Sequence, residues 1–331
     1  MSTEVFVKSV SAYLPERVLT IDEAISTGLY SPERAAVDGF SALRIEENLS
    51  PPEMAVKAAA PLLKSDEPDA INSLYLCSVH RHGHKVLWPP ASYVQHQLRL
   101  GSQTRALGIS QGCNGGFVAC SLATDLIQHG LPGDHLVLGT DKFSGSGFDR
   151  INSDLGTLYG DAAFALRLGS GSGAYRLLYM GLESEPELEA MYRDEQPGPE
   201  GPGDHDIKSA KRAYLENHGR AQFNRLFIAA LQRLRAAMLA QVDLVQEPAK
   251  YVVFPNVGAG LSAKLYATEF AGLATEDLWD YGRSIGHLGT SDQFLGLWHI
   301  DQCKPMNPGE KVLLIGAGNG LGLGAMVLEK T

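Results

Sequence analysis

Residues 106–129, ALGISQGCNGGFVACSLATDLIQH, decide the fold of this chain. The stretch begins with a short apolar run at 106–110 that has the length and the residues of a strand. The next three residues, ending at Cys113, turn the chain, and from Asn114 onward apolar residues recur at helical spacing. The pattern therefore predicts a strand, a tight turn and a helix, with Cys113 at or beside the N-terminus of the helix.

Cys113 is a candidate nucleophile because of this position. A helix N-terminus carries partial positive charge and unpaired N–H donors, and both favour the thiolate, which is the reactive form of cysteine. Gly115 and Gly116 lack side chains, so a carbonyl group could approach backbone amides that would act as an oxyanion hole. The alternative is an inert, buried cysteine on a packed helix. The strand–turn–helix context and the flanking glycines favour the nucleophile.

The composition is that of an ordinary globular protein. Of 331 residues, 44% are hydrophobic and 20% are charged, and this length suits one large α/β unit or two fused halves. The chain has no apolar run long enough for a membrane span and no secretory leader, so we expect a cytoplasmic enzyme. The net charge of −10 argues against a broad nucleic-acid-binding face, although a small basic patch could still bind an acidic carrier protein.

Three further patterns bear on cofactor or metal binding. The four cysteines are widely separated and have no C-x-x-C spacing, which argues against a disulfide framework and a zinc site. His80, His82 and His84 form an H-x-H-x-H pattern without a nearby carboxylate, so a polar loop near the substrate entrance is favoured over a metal site. The glycines from 316 to 324 lack the following helix and ribose-binding acid of a dinucleotide site. They favour a backbone that passes close to the active site.

Two patterns concern the organisation of the chain. PGDHLVLG at 132–139 and PGEKVLLIG at 308–316 are similar turn–strand units, as a duplicated α/β unit would give. Residues 210–239 predict a long amphipathic helical region. The stretch QPGPEGPGDHD at 196–206 predicts a mobile surface loop, and a lid over the site is the alternative.

His287 and Asp292 form a second chemical pair. A histidine near Cys113 would accept the thiol proton and later activate an acceptor, because its pKa lies near working pH. A nearby carboxylate would hold the imidazole in the right tautomer. A structural histidine and a helix-capping aspartate are the alternative interpretation.

Six motifs in this order resemble those of the β-ketoacyl-ACP synthase III family. They are the helix at 90–100, the Cys113 turn, Tyr159-Gly160-Asp161, the strand end at 253–256, the turn at 286–292 and the C-terminal glycines. The resemblance implies an α/β class protein with a thiolase-like layered α/β/α/β/α fold of two duplicated halves, and a homodimer. The halves would be residues 1–170, with Cys113 as the acyl-carrying nucleophile, and residues 171–331, with the histidine, the aspartate and the glycine-rich loop.

The sequence departs from this family at two positions. The family uses a histidine after the strand end and an asparagine in the turn to stabilise decarboxylation of a malonyl thioester. Asn256 here occupies the position of that histidine, and His287 the position of that asparagine. The chain thus resembles instead the synthase III-like acyltransferases of antibiotic pathways, which move an acyl group from a carrier thioester to a hydroxyl, often on a sugar, or to another carrier protein.

The resemblance assigns a role to each candidate residue. Cys113 attacks the donor thioester, and backbone amides near it and in the run Gly318, Asn319, Gly320 stabilise the oxyanion. His287, oriented by Asp292, deprotonates the acceptor, and Asn256 hydrogen-bonds a substrate carbonyl. We expect no bound cofactor and no metal. The region before residue 43 lacks the family's pattern for holding coenzyme A, which favours an acyl carrier protein over coenzyme A as donor.

Three other functions remain open on the sequence. One is a priming synthase that condenses with decarboxylation, using His287 in an altered arrangement. Another is a partner subunit without catalysis, against which the presence of both Cys113 and His287 argues. The third is an unrelated cysteine hydrolase, which the collinear motifs disfavour.

Overall fold

The computed structural model describes residues 3–63, 70–80, 87–144, 148–193 and 207–331. The strands are β1 (Phe6–Tyr13), β2 (Arg17–Thr20), β3 (Ala42–Ile45), β4 (Ile71–Cys77), β5 (Arg105–Ile109), β6 (Asp134–Asp141), β7 (Ala162–Gly169), β8 (Tyr175–Ser184), β9 (Ala249–Val253), β10 (Ala274–Asp277), β11 (Lys311–Gly318) and β12 (Gly322–Lys330). The helices are α1 (Ile21–Ser26), α2 (Pro32–Asp38), α3 (Pro51–Ala59), α4 (Pro90–Gln97), α5 (Gly115–Gln128), α6 (Ile207–His218), α7 (Arg220–Leu239), α8 (Ala259–Ser262), α9 (Trp279–Gly282) and α10 (Asp292–Cys303). None of the described helices is both long enough and apolar enough to cross a membrane.

Ten strands form one sheet that consists of two equivalent halves. The hydrogen-bonded order is β10-β9-β11-β12-β8 followed by β1-β7-β6-β4-β5. In the first half β4 pairs in parallel with β5 and β6, and β7 pairs antiparallel with β6 and β1. In the second half β9 pairs in parallel with β10 and β11, and β12 pairs antiparallel with β11 and β8. Within each half the fourth of the five strands along the chain is therefore β6 or β11. The two similar turn–strand units become β6 and β11, which are the equivalent fourth strands. The predicted duplication is therefore visible in the strand topology.

The helices complete five layers. Helices α5 and α10 share one apolar cluster with strands of both halves, so they lie between the two halves. The Phe294 ring of α10 lies 5.3 Å from the Phe117 ring of α5 and stacks on the Phe164 ring of β7 at a centroid distance of 4.2 Å. Helices α3 and α4 cover the outer face of the first half, and α7 covers the outer face of the second. The predicted α/β/α/β/α thiolase-like fold is confirmed.

Some local predictions differ from the structure. The region 210–239 is two helices, because Gly219 adopts a φ of 82° between α6 and α7. Strand β8 has no counterpart among the elements predicted from the sequence. The predicted loop at 196–206, together with His82 and His84, lies outside the described residues. The division of the chain near residue 170 stays a prediction; β7 ends at Gly169 and β8 begins at Tyr175.

Candidate active site

Cys113 lies in the turn between β5 and α5, as the sequence predicts. The turn is tight because Gly112 adopts a φ of 53°, a conformation that glycine tolerates best. Helix α5 begins two residues after Cys113, with Asn114 as its N-cap. The helix start is close-packed, since a Cβ on Gly115 would lie 3.3 Å from the side chain of Cys77. Cys113 is half-buried, so it combines a fixed position with access from one side.

His287 and Asp292 reach Cys113 from the other half of the chain. The Cys113 Sγ lies 3.1 Å from His287 Nε2, and His287 Nδ1 lies 2.5 Å from Asp292 Oδ2. The imidazole and the carboxylate are both buried. The three side chains therefore form a linear Cys–His–Asp relay, in which a proton can pass between sulfur and imidazole while the carboxylate fixes the ring.

The backbone around His287 explains its fixed position. Its N–H donates to the carbonyl of Leu158 at 2.8 Å, and its carbonyl accepts from the N–H of Gly160 at 2.9 Å. These bonds attach the turn to the segment that leads into β7. Gly286 has a φ of 85°, and a Cβ there would lie 3.0 Å from the Gly160 nitrogen. The glycine before the histidine is thus required for this close approach.

Asn256 contacts Asp292 and the backbone rather than Cys113. Its backbone N–H donates to Asp292 Oδ2 at 2.8 Å, and its side-chain amide donates to Asp292 Oδ1 at 3.3 Å and to the Gly286 carbonyl at 2.9 Å. Asp292 Oδ1 also accepts from the N–H of Leu288 at 2.6 Å. Both oxygens of the carboxylate are thereby held in place, Oδ2 by the Asn256 backbone and Oδ1 by the Asn256 amide and the Leu288 backbone. Asn256 also lines a cavity of about 140 Å³ at the end of β9, and its predicted contact with a substrate carbonyl stays a prediction.

Electrostatics favour a protonated His287. Burial by itself lowers the pKa of the imidazole, but the Asp292 carboxylate and the Cys113 thiolate outweigh that effect and raise the pKa well above its ordinary value. The hydrogen bonds to Asp292 and Cys113 act in the same direction. The raised pKa favours the protonated form of His287, whose Nδ1 lies 2.5 Å from Asp292 Oδ2.

The C-terminal glycines pack against the turn that carries Cys113, as predicted. A Cβ on Gly318 would lie 2.5 Å from the Asn114 nitrogen and 3.1 Å from the Cys113 nitrogen. A Cβ on Gly112 would lie 2.8 Å from the Asn319 nitrogen. Gly320 has a φ of 75° in the turn between β11 and β12, and a Cβ there would contact nothing. The structure thus brings Gly318 and Asn319 to the Cys113 backbone, while Gly320 serves the turn.

Asp141 is a site residue that the sequence analysis missed. It is the last residue of β6 and is fully buried, and it accepts hydrogen bonds from the backbone of Val79, His80 and Thr290 and from the Thr290 hydroxyl. Burial raises its pKa to about 6 in spite of these hydrogen bonds. The carboxylate ties the end of β6 to the turn between His287 and Asp292. A lone aspartate at a strand end gives no sequence signal for such a role.

His80 packs among aromatic rings. Its ring centroid lies 5.5 Å from those of Phe143 and Phe148. Among the described residues, no group of three or more His, Cys, Asp or Glu side chains is placed to hold a metal ion.

A thiolase-like fold that places a cysteine at a helix start beside a His–Asp pair has the arrangement of an enzyme with a cysteine nucleophile. The chain matches the profile of 3-oxoacyl-[acyl-carrier-protein] synthase III over residues 107–186 and that of the C-terminal part of the same family over residues 239–330. These matches together cover just over half of the chain. The chain therefore belongs to the 3-oxoacyl-[acyl-carrier-protein] synthase III family and is an enzyme of the transferase or synthase type.

Individual relatives are distant but cover the whole chain. A β-ketoacyl-[acyl-carrier-protein] synthase III of Mycobacteroides abscessus is 27% identical over 97% of this chain and 93% of its own. A solved structure described as the acyltransferase ChlB3 superposes with a TM-score of 0.91 at 27% identity and covers 99% of this chain and 98% of its own. The synthase III of Aquifex aeolicus gives a TM-score of 0.77 at 20% identity, covers 99% of both chains, and shows the fold alone.

Proposed function

We propose that the protein is an acyltransferase that moves an acyl group from a carrier thioester, through an acyl-Cys113 intermediate, to an acceptor hydroxyl or thiol without decarboxylation. The observation that carries the proposal is the Cys113–His287–Asp292 relay, with sulfur and imidazole 3.1 Å apart. A relay of this kind supplies both a nucleophile and a base, which two consecutive acyl transfers need.

The first half-reaction uses the ion pair. The Cys113 thiolate attacks the donor carbonyl, and the amides of Cys113, Gly318 and Asn319 stabilise the tetrahedral oxyanion. The bond between the carbonyl carbon and the donor sulfur then breaks. His287 gives its proton to the departing thiolate, which leaves as the free carrier thiol, and Cys113 holds the acyl group as a thioester.

The second half-reaction uses the same imidazole as a base. Acylation removes the negative charge of Cys113, which is one of the two charges that raise the pKa of His287. Neutral His287 then takes the proton of the acceptor, whose oxygen or sulfur attacks the Cys113 thioester. The tetrahedral intermediate expels the Cys113 thiolate, and the imidazolium pairs with it again.

The arrangement of Asn256 supports transfer without loss of carbon dioxide. Its amide hydrogens point at Gly286 and Asp292, so they are engaged in holding the relay. Decarboxylation would create an enolate oxygen that needs a donor beside it. The imidazole that contacts Cys113, that of His287, is bound to Asp292 through its other nitrogen and serves proton transfer.

A decarboxylating condensation is the second candidate. The Mycobacteroides relative carries the name of a synthase that forms β-ketoacyl products and is as similar in sequence as the acyltransferase ChlB3. Under this alternative His287 would bind the enolate oxygen rather than accept a proton from an acceptor.

The donor and the assembly belong to the same proposal. We assign an acyl carrier protein as donor, in line with the family description, a small-molecule or carrier-bound acceptor, and a cytoplasmic homodimer. Strand β5 supports a dimer, because it is an edge strand that pairs with β4 on one side and exposes 44% of Leu107. Sedimentation equilibrium should give twice the mass of one chain, and a value near 35.6 kDa would contradict the dimer.

The fate of a malonyl donor separates the two candidates. Malonyl-carrier protein labelled with ¹⁴C in the free carboxyl group should acylate Cys113 and release no labelled carbon dioxide above the rate seen with Cys113→Ala. Label should remain on the protein or pass to an added hydroxyl acceptor. Release of labelled carbon dioxide in step with a new carbon–carbon product would establish condensation instead.

A further inference from the structure

A buried polar cluster lies beside the relay and has no part in the reaction described above. Asp154 accepts a hydrogen bond from the Tyr159 hydroxyl at 2.8 Å and forms an ion pair with Lys211 at 2.6 Å. The side chains of Asp154 and Lys211 are 3% and 12% exposed. The Lys211 ammonium also lies 5.0 Å from the centre of the Tyr192 ring. We call these four residues the Lys211 cluster.

The cluster adjoins the reacting atoms. The Tyr159 ring lies 5.3 Å from the imidazole of His287, centroid to centroid. Burial lowers the pKa of Lys211, but Tyr192, Asp154 and the Cys113 thiolate outweigh that effect and raise it. Burial also raises the pKa of Tyr192, on which Lys211, Asp154, Cys113 and His287 all act. Asp154 and Tyr159 thus connect the Lys211 ammonium to the imidazole of the relay.

The cluster has hydrogen-bond donors to spare. A lysine ammonium has three N–H donors, and Asp154 is the one acceptor that Lys211 has within the described part of the chain. In the same part of the chain, the hydroxyl of Tyr192 has no hydrogen-bond partner in the protein. Taking an ion pair out of water costs free energy. Unused donors in a cluster whose Tyr159 ring packs against the His287 imidazole therefore favour an oxygen acceptor that arrives with the substrate.

We propose that Lys211 and Tyr192 form a polar subsite that binds an oxygen substituent, a hydroxyl or a carbonyl, on the acyl group carried by Cys113. The inference rests on the proposed acyl-Cys113 intermediate and adds the chemical class of its acyl group. Asp154 already neutralises Lys211, so the subsite suits a neutral oxygen better than a second anion. An unsubstituted alkyl chain would leave both donors without a partner, and a site built for a hydroxyl rejects such an analogue strongly.

Matched pairs of thioesters test the subsite. The probes are N-acetylcysteamine thioesters in two pairs: butanoate with 3-hydroxybutanoate, and benzoate with 2-hydroxybenzoate. Intact-protein mass spectrometry measures the rate at which each probe acylates Cys113. We expect the wild-type enzyme to prefer the oxygenated member of its better-accepted pair by at least about tenfold in kcat/KM. Lys211→Met should bring this ratio to near one, and Lys208→Met, on the same helix, should leave it unchanged.

A second variant covers the case in which Lys211→Met fails to fold. Tyr192→Phe removes one hydroxyl and keeps the ring, and it should lower the ratio several-fold, while Tyr214→Phe on α6 should not. Equal acylation within each pair, or a parallel fall for both members in Lys211→Met, would overturn the subsite and leave the acyl-enzyme intact. If neither the probes nor carrier-bound donors acylate Cys113, the proposed function is overturned together with the subsite.

Discussion

Cys113→Ala should lose acyl transfer almost completely, with kcat falling on the order of 10⁴- to 10⁶-fold, because no other group can carry the acyl intermediate. The fold should persist, since alanine is smaller than cysteine and Cys113 is only half-buried. Transfer rates with a carrier thioester and thermal unfolding of the variant check both parts. A residual rate within tenfold of the wild type would contradict a covalent mechanism.

The other cysteines provide matched controls for this prediction. Cys77 and Cys120 are buried, and burial raises the pKa of both thiols, so they remain unreactive thiols. Cys303 is exposed and lies at the end of α10. Cys303→Ala should therefore retain full activity. Iodoacetamide should inactivate the enzyme through Cys113, and an acyl donor should protect that residue but not Cys303.

The second large effect is expected at the His–Asp pair. His287→Ala removes the group that exchanges protons with Cys113 and the acceptor, and should lower kcat on the order of 10³- to 10⁵-fold. Asp292→Asn should lower it on the order of 10³- to 10⁴-fold, because an amide no longer fixes the tautomer of the imidazole. Turnover with a saturating donor measures both effects. Full activity in His287→Ala would exclude the relay.

The pH dependence distinguishes a role of Asp292 in the relay from a purely structural role. In the acyl-enzyme the thiolate charge is gone, while Asp292 still raises the pKa of His287. Transfer to the acceptor needs the neutral imidazole, so its rate should rise with pH and become constant above that pKa. Asp292→Asn removes the largest raising effect, so the midpoint should move to lower pH while the plateau falls. A lower plateau with an unchanged midpoint would indicate lost structure alone.

The local patterns that were predicted correctly share a physical cause. The Cys113 turn and helix α5 were predictable because the strand, the glycines and the helical spacing lie within one continuous stretch. The equivalence of β6 and β11 in the two halves was predictable from two similar turn–strand units in the sequence. Strand β8 was missed, and the break at Gly219 was overlooked because a single glycine within a helical pattern is often tolerated.

The site itself depends on contacts between distant residues, which spacing cannot give. Cys113 and His287 are 174 positions apart and meet because α5 and the turn before α10 lie between the two halves. The family resemblance supplied that pairing. The Lys211 cluster had no sequence signal, because Lys211 lies on an amphipathic helix where a lysine is usually solvated. The Asn256 amide donates to Gly286 and Asp292, contacts that its position in the sequence does not reveal, and its contact with a substrate carbonyl stays a prediction.

The most direct test of the account follows one acyl group through a single turnover. Wild-type protein is mixed with an equimolar acyl-carrier protein, sampled by intact mass spectrometry, and then mixed with an acceptor. We expect the protein to gain the whole acyl mass on the peptide that contains Cys113, and the acceptor then to gain the same mass as the protein loses it. The absence of an adduct from every donor, or an adduct that leaves only with loss of carbon dioxide, would contradict it.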